Sequence, residues 1–290
     1  MQVRADWQVW KDRHRVGAFE SHRNGNPLQY QDRLDFAVDL ARRAGAFAKT
    51  HFESIDTLVI ESKGHQDLVS NADKDTETLI RAALDEHWPD DGIVGEEHGR
   101  KTGTSGFDWV IDPIDGTANF VRGLPQWCVA IACAKDGEAV VGVIFEPSSG
   151  EMFTAAKGGG AFVNGKPMRV AQTGDMGQGS VGIGFSGRLP GMAAVTALTM
   201  VVERGGVFFR NASGALMLAY VAAGRLIGYL EEFMNSWDCV AGMLMIEEAG
   251  GVIVKPDPKT SLDHGTVVIC GGPNMFAEIN EIAEASFKPA

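Results

Sequence analysis

Two carboxylates stand three residues apart in Ile111-Asp112-Pro113-Ile114-Asp115-Gly116-Thr117-Ala118-Asn119-Phe120, directly after the β-prone run Trp109-Val110-Ile111. Pro113 resists continuing a central strand, and Gly116-Thr117 can open a helix whose first N–H groups face an anion. A strand end, paired carboxylates and a helix mouth suit a hard cation and a phosphate held beside it. The backbone carbonyl of Ile114 adds a further oxygen between the two acids. Asp, Pro and Gly at this density also build an ordinary turn, so the stretch by itself leaves both readings open. Three more acids sit where an element begins or ends: Asp73, Glu96 and Asp238. Asp73 and Asp238 also read as plain helix caps, and Glu96-Glu97 as a solvated acidic pair.

The elements that must position these acids follow from spacing. Leu34, Val38, Ala41, Gly45, Ala48 and Phe52 recur at threes and fours, the period of an amphipathic helix. Leu58-Val59-Ile60 reads as a strand. Ser70-Asn71-Ala72-Asp73 is a capping-box-like start, and Leu79, Ile80, Ala83, Leu84 and Trp88 carry the helix on, so Asp73 lies near its N-terminus. Pro89-Asp90-Asp91-Gly92 breaks that helix, and Ile93-Val94 leads as a brief strand into Gly95-Glu96-Glu97. Trp127–Ala134, Ala139–Phe145, Met152–Ala156 and Ala161–Val163 form a predicted antiparallel meander. The Asn164-Gly165 turn then returns the chain through Met168–Val170. Beyond Gly174–Gly179 strands and helices alternate: strand Val181–Phe185, helix 191–203, strand Val207–Phe209, helix 213–223, strand Leu226–Leu230 and a helix from Trp237 to Ala249, with Asp238 at its start. Strands at 252–254 and 266–270 and a closing helix from about 273 complete a layered α/β chain. We expect an N-terminal extension over residues 1–30, an α+β part over 31–175 bearing most of the acids, and an α/β part over 176–290 that completes one globular unit.

A length of 290 residues is enough to bury a real core. Cys128, Cys133, Cys239 and Cys270 lie in apolar surroundings without CxxC spacing, which predicts buried reduced thiols rather than disulfides or zinc ligands. The longest apolar run, Trp127 to Ala134, falls far short of the ~20 residues of a membrane helix. No apolar segment follows Arg4, Lys11, Arg13 and Arg15 as a secretory signal requires, so the expected location is the cytoplasm, with no membrane partner. A net charge of −12 works against non-specific nucleic-acid binding, and an anionic substrate would need a cation as bridge.

Four segments in order carry a family resemblance: Lys63 with Asp67-Leu68-Val69-Ser70-Asn71-Ala72-Asp73; Gly95-Glu96-Glu97; Asp112-Pro113-Ile114-Asp115-Gly116-Thr117-Ala118-Asn119-Phe120; and Trp237-Asp238-Cys239-Val240-Ala241-Gly242 with Glu248-Ala249-Gly250-Gly251. Together they resemble the signatures of the inositol monophosphatase family over roughly residues 34 to 285. The resemblance implies an alternating α/β/α/β/α sandwich of the inositol monophosphatase and fructose bisphosphatase type, usually dimeric, acting as a magnesium-dependent, lithium-sensitive phosphomonoesterase. Carried onto this chain, it implies that Glu96, Asp112, Asp115, Asp238 and the Ile114 carbonyl hold two or three Mg2+ ions. Thr117, paired with Asp73, orients the attacking water, Glu96 belongs to that catalytic set too, and the Gly116 and Thr117 amides hold phosphate.

Glu231, seven residues before Asp238, matches the place where relatives hold a substrate hydroxyl, although a surface glutamate fits it too. A negative side chain there disfavours a second phosphate. The segment Arg210-Asn211-Ala212-Ser213-Gly214-Ala215, with Ser213 and Gly214 expected in the substrate wall, departs from the G-[ST]-A-A pattern of inositol-specific relatives by exchanging glycine and alanine at Ala212 and Gly214. The expected substrate is therefore a small phosphate monoester, inositol monophosphate ahead of histidinol phosphate, with other sugar or nucleotide esters of the family behind. A regulatory protein- or RNA-binding role on the same fold is the reading from another class.

Overall fold

The computed structural model describes residues 29–64, 67–185 and 191–287. The extension expected over residues 1–30 lies outside the described residues up to position 28. The first part contains α1 (Gln31–Phe52), the hairpin β1 (Ile60–Gly64) and β2 (Asp67–Ser70), and α2 (Asn71–His87). Next come β3 (Gly92–Gly95), β4 (Gly99–Lys101), β5 (Phe107–Asp115), the single turn α3 (Thr117–Phe120), β6 (Cys128–Lys135), β7 (Glu138–Glu146), β8 (Glu151–Ala156), β9 (Gly160–Val163) and β10 (Lys166–Pro167). The remainder is β11 (Ser180–Ile183), α4 (Met192–Glu203), β12 (Val207–Phe209), α5 (Gly214–Ala222), β13 (Gly228–Met234), α6 (Ser236–Glu248), β14 (Val252–Ile253), α7 (Ser261–His264), β15 (Thr266–Gly271) and α8 (Phe276–Ser286).

Strands β3 to β10 build an eight-stranded sheet in the order β10-β9-β8-β7-β6-β5-β3-β4, antiparallel except for the parallel β3–β5 pair. The later strands form a five-stranded sheet in the order β12-β11-β13-β15-β14. Side-chain alternation assigns each face to its own core. On β5, Trp109 and Ile111 pack with Leu40, Ala41, Ile80 and Leu84 of α1 and α2, whereas Val110 turns towards α5 and α6. In the second sheet Tyr229, Val268 and Cys270 face that same central helix pair, whereas Leu230 and Ile269 face Ala197 of α4 and Ile279 and Ile282 of α8. The result is helices, sheet, helices, sheet, helices, the five-layered α/β sandwich expected from the resemblance. Helix α6 is buried continuously from Cys239 to Ile246, because a helix between two sheets has no solvent face to keep polar. All four cysteines are buried free thiols. Among the described residues no helix is long and apolar enough to cross a membrane.

Three local expectations are corrected, and one strand is added. Ile55–Thr57 is a 3₁₀ turn and the strand begins only at Ile60, in a small hairpin of its own, because the Val59 amide is taken by the Asn71 side chain at 2.9 Å. Strand β4, polar and short, carries no hydrophobic period and went unpredicted. Asn164 and Gly165 do make the turn, at φ of 48° and 76°, but β10 stops at Pro167, and Met168 and Val170 leave the sheet to fill the central core. Strand β5 continues through Pro113 to Asp115, against the expectation that Pro113 resists a central strand.

Candidate active site

That continuation explains how the two central acids come together. In a regular strand, residues three apart point to opposite faces. Here Asp112 pairs with Ala130 and Asp115 with Cys128, so three steps on β5 oppose two on β6, a bulge of one residue. The extra residue restores Asp115 to the face of Asp112, and Pro113, which has no N–H to give to the ladder, is tolerated within it. Ile114 N–H donates to Asp112 Oδ1 at 2.9 Å and fixes that side chain within the bulge. Gly116 then ends the strand with φ of 97°, where a Cβ would stand 2.9 Å from the Gln126 carbonyl. Helix α3 opens at Thr117 as expected but is four residues long, so any attraction for an anion comes from its local N–H groups and not from a macrodipole.

Asp115 is held from the far side of the sequence. Its Oδ2 accepts from the Ser213 hydroxyl at 2.5 Å and the Ala215 N–H at 2.7 Å, and its Oδ1 from the Gly214 N–H at 3.2 Å. The N-terminus of α5 is thereby capped by a residue of the other sheet. Asp238 projects from the first turn of α6, with Asn235 Nδ2 donating to its Oδ2 at 3.3 Å. Oxygens of Asp112, Asp115 and Asp238 converge within 4.8 Å of one another. Glu96 lies in the turn after β3, partly buried, near enough for its charge to act on Asp112.

Asp73 caps α2 and also reaches Thr117. Its Oδ2 accepts from the Ser70 N–H at 2.8 Å and the Ser70 hydroxyl at 2.6 Å, and its Oδ1 faces the Thr117 hydroxyl at 3.0 Å. The same hydroxyl lies 3.1 Å from the Ile114 carbonyl, and with one proton it can donate to only one of the two at a time.

Burial pushes the Asp112 carboxyl well above its ordinary range, and the charges of Glu96, Asp115 and Asp238 push it further. Asp238 is raised to about 7, by burial first and by Asp115 next, and Asp115 and Asp73 are raised by burial. Asp112 and Asp238 lie close enough for each carboxyl to act directly on the other. Such a group of carboxylates can be fully ionised together only around a cation, and its all-oxygen donor set fits a hard divalent ion such as Mg2+.

Beside the acids lies a cavity of about 180 Å³ bordered by Asp115, Asp238, Ser213, Gly214, Glu231 and Arg210. Glu231 is 8% exposed, accepts from the Tyr229 hydroxyl at 2.5 Å, and is raised to about 7, mainly by burial. It is therefore an inward carboxyl on β13, not a surface glutamate. Ala212 has φ of 62°, the left-handed backbone that glycine would hold without strain. Lys63 is in β1, but its side chain lies outside the described residues. Sequence reasoning missed Tyr229, Asn235 and Glu77. Glu77 could have been found as the residue one helical turn beyond Asp73 on the same face.

A five-layered sandwich with a carboxylate cluster where its two sheets meet defines a class of phosphatase. A profile of the inositol monophosphatase family matches residues 29–287. The chain belongs to that family. It is 39% identical over 240 residues to an inositol-1-monophosphatase of Mesorhizobium japonicum, covering 81% of this chain and 90% of that protein. It is also 40% identical over 225 residues to a Nus factor SuhB of Xylella fastidiosa, covering 76% and 80%. Among solved structures, extragenic suppressor protein suhB of Bartonella henselae superposes with a TM-score of 0.82 at 32% identity, covering 87% of this chain and 98% of that one. The Thermotoga maritima IMPase superposes with a TM-score of 0.79 at 28% identity, covering 88% and 98%.

Proposed function

We propose that this protein hydrolyses a small phosphate monoester, inositol monophosphate ahead of histidinol phosphate, in a magnesium-dependent and lithium-sensitive reaction. The observation that carries the reading is the convergence of Asp112, Asp115 and Asp238 beside the Thr117–Asp73 pair. Asp112, Asp115, Asp238, Glu96 and the Ile114 carbonyl would hold two or three Mg2+ ions, which supply charge neutralisation of the phosphate and acidification of water. Thr117 donates a hydrogen bond to Asp73 Oδ1 and accepts one from the attacking water, so that the water's free lone pair points at phosphorus. The amides of Gly116 and Thr117 donate to phosphate oxygens. Ser213 and Gly214 keep Asp115 aimed and border the substrate space. Glu231, fixed by Tyr229, accepts from a hydroxyl or ammonium of the leaving alcohol. Residues 31–175 supply most of these groups and residues 176–290 complete them with Asp238 and Glu231.

A cytoplasmic location belongs to this reading, and the acidic balance fits it. A homodimer is supported by the exposed side chains of Val207, Phe208 and Phe209 on edge strand β12, next to Met192, Val195 and Val202 of α4. An open apolar sheet edge is covered by its own copy under two-fold symmetry. A purely monomeric species in equilibrium sedimentation at micromolar concentration would remove the dimer.

The likeness to relatives named Nus factor SuhB supports a second reading, in which the fold binds a protein or RNA partner. One experiment separates the two. Phosphate release is measured from inositol 1-phosphate, histidinol phosphate and fructose 1,6-bisphosphate, with and without Mg2+, and compared by kcat/KM. The expected order favours inositol 1-phosphate and leaves the bisphosphate last. No turnover of any ester, with tight binding of a protein or RNA, supports the second reading instead.

A further inference from the structure

Glu77 is a fully buried carboxylate to which the reaction above gives no part. It sits on α2 one turn beyond Asp73, so the two acids lie on one helix face. Its Oε2 accepts from the Glu97 N–H at 2.7 Å, and its Oε1 from the His98 N–H at 3.1 Å and from Arg81 Nε at 2.7 Å. The Arg81 guanidinium also donates to the Gly99 carbonyl. Together they enclose the turn between β3 and β4, closed at its ends by the Gly95–Gly99 pair, and this is the turn that carries Glu96. Glycine at 95 leaves the room, since a Cβ there would stand 2.3 Å from Glu77 Oε1 and 2.7 Å from an Arg81 nitrogen.

A hairpin turn of three residues closes on its own backbone and needs no buried ion pair. A buried glutamate is costly unless it is paired and hydrogen-bonded, as this one is by the Glu97 and His98 amides and Arg81. Clamping these two amides fixes the direction of the residue that precedes them. We infer that Glu77, braced by Arg81, is a positioning residue that aims the Glu96 carboxylate into the cation site. This rests on the magnesium-dependent reading above. Another buried ion pair among the described residues, Arg33–Asp91, also bonded to Trp109 and Ser105, ties α1 to the turn before β3. It serves as the internal comparison.

The test is Mg2+ binding by calorimetry without substrate, with the Mg2+ dependence of the thermal midpoint and of phosphate release. Glu77→Gln is expected to weaken Mg2+ binding about tenfold to a hundredfold, with turnover returning at higher Mg2+. Arg81→Gln moves the same way by less, and answers the question if Glu77→Gln fails to fold, since the Arg81 side chain is at the margin of the core. Arg33→Gln lowers the midpoint but leaves the Mg2+ dependence unchanged. Wild-type Mg2+ affinity in both Glu77→Gln and Arg81→Gln overturns the inference alone. A wild-type protein that binds no Mg2+ overturns the reading beneath it as well.

Discussion

Position 212 shows what a single residue contributes to the wall of the cavity. An alanine there holds a φ of 62°, two residues before the amides that bind Asp115. Left-handed backbone costs a Cβ-bearing residue ~1–2 kcal/mol, and glycine's extra unfolded freedom offsets about half of that. Ala212→Gly should therefore raise stability by about 0.5–1 kcal/mol, read as a higher urea midpoint at unchanged slope; a lower midpoint would mean that the alanine methyl packs usefully. The companion change is less free. A Cβ on Gly214 would meet the Met234 methyl at 2.5 Å, so the exchanged pair is matched to its neighbours. Sequence flagged this segment as unusual and flagged Asp73, Thr117, Asp112, Asp115 and Asp238 through residue type and order. It could not reveal that Ser213 and Gly214 reach Asp115, because that contact spans nearly a hundred residues and leaves no local period.

At the scale of elements, the bulge in β5 and the burial of α6 do most to build the site. The bulge was hidden by its own ingredient: Pro113 reads as a strand breaker, and only pairing with β6 turns it into a device that brings two acids to one face. Amphipathic α1 was legible because it has a solvent side. Helix α6 was legible as an apolar run, but its place between two sheets was not. That helix packs backbone against backbone on β7, where a Cβ on Gly142 would lie 2.7 Å from the Ala241 carbonyl. Gly142→Ala should cost about 1–3 kcal/mol, as overpacking does, and displace the helix bearing Asp238. Denaturant unfolding checks the first part and a weaker Mg2+ dependence of the midpoint the second; an unchanged midpoint would show that the layer is looser than these distances require.

For the whole molecule, five layers bring acids of β5 and α6 into one cluster, and that arrangement makes stability depend on pH. Asp112, Asp115 and Asp238 have carboxyls raised above their unfolded values, so between those values and the folded ones the folded chain holds more protons than the unfolded chain. Stability contributed by these groups is then full below about pH 4. It is lost as pH rises through the folded values, near 7 for Asp238. In EDTA the thermal midpoint should fall from pH 5.5 to 8 by more in the wild type than in Asp238→Asn, and added Mg2+ should restore it most at pH 8. A wild-type slope equal to that of Asp238→Asn would mean the cluster is not the source.

The most direct test of the central claim removes the acid that Glu96, Asp115 and Asp238 all act upon. Mg2+ binding by calorimetry and phosphate release from inositol 1-phosphate are measured side by side in the wild type and Asp112→Asn. The arrangement predicts a folded variant with Mg2+ binding greatly weakened and turnover nearly abolished. Wild-type turnover by Asp112→Asn at saturating Mg2+ would contradict it.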